Sequence, residues 1–206
     1  MTTSTPHHPM GWLPNVLTIG RIFSIPFFVA GIIGLSRNSD IWLAAPAVVL
    51  AIFILSAFTD YLDGFLARKW KVESDFGRMI DPIADKLFVA GGLIALSISV
   101  SGAWTILIPA LAIIGRDILV AGAREHAALS GRAMPPTNLA KWKTACEMLG
   151  IAVLIVWLGV RAVSAADLPH PSFADHSYIV GTALIWLAAA LSVYTGSLYF
   201  RAALAK

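Results

Sequence analysis

Two pairs of aspartates interrupt an otherwise apolar chain. Asp60 and Asp63 are three residues apart, and Asp81 and Asp85 are four apart. Either spacing puts both carboxylates of a pair on one face of a helix. Each pair lies at one end of a hydrophobic run, and the stretch between the runs is short. The two helices are therefore expected to be antiparallel neighbours whose four carboxylates converge just inside a membrane. An ionised aspartate at membrane depth costs about 2.5–3.5 kcal/mol, and mutual repulsion adds to that. Arg68 and Lys86, the nearest cations in sequence, could neutralise two of the four, whereas two divalent cations would balance all of them. All-oxygen donors without histidine or cysteine select hard ions, Mg²⁺ or Mn²⁺. Two such ions, about 3.5–4 Å apart, clamp a phosphoryl group during in-line displacement. Gly64, Ala67 and Gly77 leave room for a bulky group against the backbone, although small residues also serve helix packing in membranes. Arg68 offers a planar fork to phosphate oxygens, or else anchors a cytoplasmic loop. The bland reading of the whole cluster is a set of interfacial charges at helix ends.

The elements that must position these groups are membrane helices. Of 206 residues, 58% are hydrophobic and 13% charged, and the mean hydropathy is +0.77, far from the mix of a soluble domain. The apolar residues form blocks long enough to cross about 30 Å of hydrocarbon, without the alternation of barrel strands. Backbone groups in lipid must be satisfied within the segment, so an all-α membrane fold is predicted. Six spans are expected at 15–36, 41–67, 79–100, 103–127, 139–163 and 177–202. With the N-terminus inside, ten basic residues fall on the cytoplasmic side: Arg68, Lys69, Lys71, Arg78, Arg124, Arg132, Lys141, Lys143, Arg201 and Lys206. Arg37 and Arg161 fall outside, and Arg21, Lys86 and Arg116 lie within spans. That imbalance predicts both termini in the cytoplasm. It also accounts for the pI of about 9.2 without any nucleic-acid partner, since membrane orientation and anionic headgroups suffice.

Residues 1–14, MTTSTPHHPMGWLP, lack a basic stretch and a cleavage site and are read as a short tail rather than a signal peptide. His7 and His8 are read as solvated. Residues 15–206 are expected to form a single six-helix domain. Cys146, the sole cysteine, excludes an intramolecular disulfide and reads as a small apolar filler.

Residues 60–85 carry the pattern D-x2-D-G-x2-A-R-x8-G-x3-D-x3-D: Asp60, Asp63, Gly64, Ala67, Arg68, Gly77, Asp81, Asp85. It resembles the signature of the CDP-alcohol phosphotransferase family at every fixed position. PNVLTIGRIFSIP, from Pro14 to Pro26, is similar to the family's entry into its first helix. The resemblance implies six transmembrane helices in the cell (inner) membrane, a site facing the cytoplasm, and a homodimer. It also implies a reaction in which an alcohol hydroxyl attacks the β-phosphate of a CDP-linked lipid and CMP leaves. On the same analogy Asp60, Asp63 and Asp81 bind two divalent cations, and Asp85 both contacts metal and accepts the hydroxyl proton. Gly64, Ala67 and Arg68 would cradle the cytidine diphosphate of CDP-diacylglycerol, with Ser74, Asn15 and Thr18 as further candidates.

The stretch IIGRDILVAGAREHAALSGR and the following AMPPTNLAKWKTACEM bear on the acceptor. Arg116, Asp117, Arg124, Glu125, Lys141, Lys143 and Thr144 resemble the branch of the family that takes glycerol 3-phosphate. A dianionic acceptor needs several cations near the metals but not on them, and Arg116, Arg124, Lys141 and Lys143 could form that pocket. Inositol phosphate would suit it too, and Lys141 and Lys143 also read as topology anchors. His126 is expected at the surface, and Glu147 in a structural pair with Lys143. A divalent-cation transporter would use the carboxylates as a transit site, but such sites usually sit at mid-membrane. A prenyltransferase would leave the glycine and Ala-Arg spacing unexplained.

Overall fold

The computed structural model describes residues 12–37, 44–70, 75–100, 104–129, 131, 138–164 and 172–204. Six helices follow one another: α1 (Leu13–Arg37), α2 (Ala45–Trp70), α3 (Asp75–Ser99), α4 (Trp104–Leu129), α5 (Asn138–Ser164) and α6 (Ser172–Leu204). Several helices overrun the expected spans, because hydropathy marks the part in hydrocarbon while backbone hydrogen bonding continues into the headgroup region. Pro14 and Pro46 are the second residues of their helices, where a missing N–H costs nothing. Gly131, at φ +70°, follows α4 and donates its N–H to the Ala128 carbonyl at 2.9 Å, as a left-handed residue does just past a helix end.

Among the described residues five helices are long and apolar enough to cross a membrane, and the chain is a multi-pass membrane protein. The expectation of six spans is met only that far, since α3 is not among the five. It carries Asp81, Asp85 and Lys86, and of all six helices it segregates polar from apolar residues most strongly.

Interhelix contacts set the directions. Thr18, Phe28 and Ile32 of α1 meet Asp81, Gly92 and Ser99 of α3 in ascending order, so these helices are parallel. Arg21, Ser24, Phe28 and Gly31 meet Asp60, Ser56, Phe53 and Val49, so α1 and α2 are antiparallel. In α4 and α6, Thr105 with Tyr178, Arg116 with Thr195 and Arg124 with Tyr199 run in parallel. The carboxylates and most of the candidate cations thus collect at one end of the bundle.

The adjacency expected of the aspartate helices requires correction. α1 packs extensively against both α2 and α3, whereas among the described residues α2 and α3 are not themselves an extensively packed pair. They meet through long side chains. Phe28 of α1 stacks on Phe88 of α3 and Phe53 of α2, with ring centroids 4.6 and 5.8 Å apart, and Phe53 and Phe88 are 6.0 Å apart. Lipid tails are as apolar as this core, so close packing rather than water exclusion holds the helices together.

The α5/α6 seam depends on reciprocal glycines. A Cβ on Gly150 would stand 2.8 Å from Ile185 Cδ1, and one on Gly181 2.7 Å from Leu154 Cγ. Gly181→Ala is therefore expected to destabilise the protein by about 1–3 kcal/mol, seen as a lower thermal unfolding midpoint in detergent. Gly122→Ala, whose methyl would meet nothing within 4 Å, is expected not to lower it.

Candidate active site

Thr18 and Arg21 of α1 stand between the acidic ends of α2 and α3. The Arg21 guanidinium donates from Nη1 to Asp60 Oδ1 at 2.5 Å and from Nη2 to Asp63 Oδ2 at 2.9 Å. Thr18 Oγ1 is 2.6 Å from Asp81 Oδ1 and 3.4 Å from Asp63 Oδ2. Three of the four aspartates are thus drawn together by α1. Arg21 is 4% exposed and Asp63 3%, so neither charge has water to fall back on. Among the described residues, counter-charge to Asp60 and Asp63 comes from Arg21, a basic residue within a span to which the sequence reading assigns no role. Its signal was present, because an arginine at membrane depth needs a partner.

Asn15 lies three residues before Thr18 on α1, and Gly64 directly follows Asp63 on α2. Gly77 is buried four residues before Asp81. Ser74, His7 and His8 lie outside the described residues, as do the side chains of Ala67, Arg68 and Arg78. So do Lys71, Arg132 and Lys206 from the charge count.

Asp85 faces a second region. It lines a cavity of about 520 Å³ between α3, α4 and α5, together with Lys86, Arg116, Asp117, Arg124, Lys141, Lys143, Thr144 and Glu147. All four cations selected for an acceptor phosphate are therefore in one cavity. Five cationic and three acidic side chains line it, a formal excess of two positive charges. Asp85 is in electrostatic range of Asp60 and Arg21 of the cluster and of Lys143 and Asp117 of the cavity. It belongs to both regions.

The cavity wall is cross-braced. Lys143 Nζ, buried, pairs with Asp117 Oδ2 at 2.7 Å and with Glu147 Oε2 at 2.6 Å. The expected Lys143–Glu147 pair is present, though Asp117 shares it. Asp117 Oδ1 also accepts from Arg116 Nη1 at 2.9 Å. Arg116 Nη2 reaches Thr195 Oγ1 at 2.9 Å, and Arg124 Nη2 reaches the Tyr199 hydroxyl at 2.8 Å. Thr195 and Tyr199, on α6, were not singled out from sequence. An aromatic residue near the inner end of a last span reads as an interfacial anchor, and nothing local distinguishes Tyr199 from one. Glu125 and His126 are exposed, His126 as expected.

Asp60, Asp63, Asp81 and Asp85 supply only hard oxygen donors, which fits Mg²⁺ or Mn²⁺. Among the described residues no three acidic side chains enclose a point where an ion would fit. The inner oxygens of Asp60 and Asp63 are instead bridged by the Arg21 guanidinium.

Fold and site together define a helical membrane protein with an acidic cluster next to a cationic cavity at one end of its bundle. The chain belongs to the CDP-alcohol phosphatidyltransferase family, whose sequence profile matches residues 11–194. Members of this family generally depend on divalent cations. The chain is 40% identical to the CDP-diacylglycerol–glycerol-3-phosphate 3-phosphatidyltransferase of Cereibacter sphaeroides, over 95% of this chain and 97% of that one. It is 37% identical to the protein of the same name from Rickettsia bellii, over 92% and 94%. It is also 34% identical to a cardiolipin synthase (CMP-forming) of Oryza sativa subsp. japonica, over 92% of this chain and 56% of that one.

Proposed function

We infer that the protein moves the phosphatidyl group of CDP-diacylglycerol to glycerol 3-phosphate, forming phosphatidylglycerophosphate and CMP, and is thus a phosphatidylglycerophosphate synthase. The observation that carries this is Asp85, which lines the cationic cavity while adjoining the Asp60/Arg21 cluster. A group so placed can serve an acceptor on one side and a nucleotide-linked phosphate on the other. The names of the relatives support the same substrates.

On this reading Asp60, Asp63, Asp81 and Asp85 would hold two divalent cations, Mg²⁺ or Mn²⁺. Such ions supply charge neutralisation of the diphosphate and its leaving group. Gly64, Ala67 and Arg68 cradle the cytidine diphosphate, with Ser74, Asn15 and Thr18 beside it. Arg116, Arg124, Lys141 and Lys143 bind the acceptor's phosphate dianion, which the cavity's excess of two positive charges suits. Asp85 takes the proton of the free primary hydroxyl as its oxygen bonds to the β-phosphorus. The bond from that phosphorus to the CMP oxygen breaks, and CMP departs.

Six membrane spans, with both termini and the site on the cytoplasmic side of the cell membrane, belong to this reading. The support is the ten-to-two distribution of basic residues and the gathering of the cluster and cavity at one end of the bundle. The homodimer rests on the family resemblance alone. A cation transporter is disfavoured by the position of the carboxylates, which sit near helix ends rather than at a mid-membrane break.

Purified protein with CDP-diacylglycerol and Mn²⁺ or Mg²⁺ is expected to release CMP with glycerol 3-phosphate and not with inositol, serine or inositol phosphate. Release with phosphatidylglycerol instead would reassign the acceptor to the cardiolipin-forming reaction. Metal flux into liposomes without CMP release would replace the enzyme by a transporter.

A further inference from the structure

The last helix packs an unassigned group of residues against two arginines of the cavity wall. Tyr199, 5% exposed, lies under both arginines of the α4 wall, with the Arg124 guanidinium carbon 4.8 Å and that of Arg116 5.6 Å from its ring centroid. Its hydroxyl accepts from Arg124 Nη2 at 2.8 Å. One turn earlier Thr195 Oγ1 accepts from Arg116 Nη2 at 2.9 Å, while its own proton is directed to the Leu191 carbonyl at 2.7 Å. The threonine is thereby fixed as an acceptor. Between them Gly196 makes the approach possible, because a Cβ there would stand 2.9 Å from Arg116 Cγ. All three residues follow position 194, where the family match ends.

Asp117 offsets the charge of Arg116, and both guanidiniums retain donor capacity for a further anion. Arg116 and Arg124 each keep a buried Nε–H with no hydrogen-bond partner among the described residues. A guanidinium has five donors in a rigid fork, so holding one edge and one face leaves the remainder preorganised.

Building on the function proposed above, we propose that Thr195, Gly196 and Tyr199 form a cradle that presets Arg116 and Arg124 to grip the phosphate of the acceptor, making α6 a determinant of acceptor specificity. Tyr199 is a positioning residue. It acts through the arginines, holding their planes by ring and hydroxyl, and does not itself touch the reacting atoms.

The test is steady-state kinetics on the purified full-length protein in detergent. Tyr199→Leu removes ring and hydroxyl and is expected to raise KM for glycerol 3-phosphate by about 10-fold. Tyr199→Phe keeps the ring and is expected to raise it by about 3-fold. In both, KM for CDP-diacylglycerol should stay within about twofold of wild type, a split that a merely structural role would not produce. Equal losses for both substrates, or an unchanged KM for glycerol 3-phosphate, would overturn the cradle. If Tyr199→Leu does not fold, Tyr199→Phe decides alone. If the wild-type protein releases no CMP with glycerol 3-phosphate, the proposed acceptor fails separately, and the cradle is then judged by inorganic phosphate. Protection by phosphate against thermal unfolding should weaken in Tyr199→Phe, and undiminished protection would refute it.

Discussion

Asp85→Asn is expected to lower CMP release with glycerol 3-phosphate by about 10³-fold while the protein remains folded. The substitution is nearly isosteric, so the lining of the cavity keeps its shape. What is lost is the carboxylate that is in electrostatic range of both Asp60 and Arg21 of the cluster and Lys143 and Asp117 of the cavity. An amide cannot accept the hydroxyl proton, and it is a weaker donor to a hard cation. Lys143 keeps both Asp117 and Glu147, so the bracing of the wall survives and the unfolding midpoint should move little. Turnover within about tenfold of wild type, against the ~10²–10⁴ that a positioned base contributes, would remove the assignment of Asp85 as the base.

The second large effect concerns stability. Arg21→Met should destabilise the protein in the presence of a chelator by about 3–5 kcal/mol, because removing one partner of a buried ion pair leaves the other charges uncompensated. Asp63 is buried beside Asp60 and Asp81, and the Arg21 fork spans two of these three carboxylates. Arg21→Lys retains one charge but cannot span both, so its loss should be intermediate. Added Mn²⁺ is expected to recover much of the deficit in Arg21→Met, since a divalent ion among the same oxygens replaces the missing counter-charge. Thermal unfolding in detergent, with chelator and with Mn²⁺, reads both effects. A midpoint for Arg21→Met equal to wild type in chelator would show that Arg21 is not the counter-ion of the cluster.

Arg21 and Arg116 differ in how much of their surroundings the sequence reveals. Both are arginines at membrane depth, where an unpartnered guanidinium is costly. That argument calls for an anionic partner, and Arg116, with Arg124, Lys141 and Lys143, does line one cavity. Applied to Arg21, it would have named a partner of the aspartates. It could not have said which aspartates, because Arg21 is 39 residues from Asp60 and 42 from Asp63.

The chain alone determined that this is a helical membrane protein with four aspartates on two helical faces, because insertion cost and face periodicity are local properties that spacing records directly. It also carried the family signature, since that is a pattern of fixed intervals. Packing in three dimensions was needed to set α1 between α2 and α3, to pair Arg21 with Asp60 and Asp63, and to bring Thr195 and Tyr199 of α6 against Arg116 and Arg124. Those contacts join segments as much as 79 residues apart. They depend on which helices pack together, and in a bilayer that choice is made by side-chain fit and buried polar pairing rather than by hydrophobicity, which nearly every segment here shares.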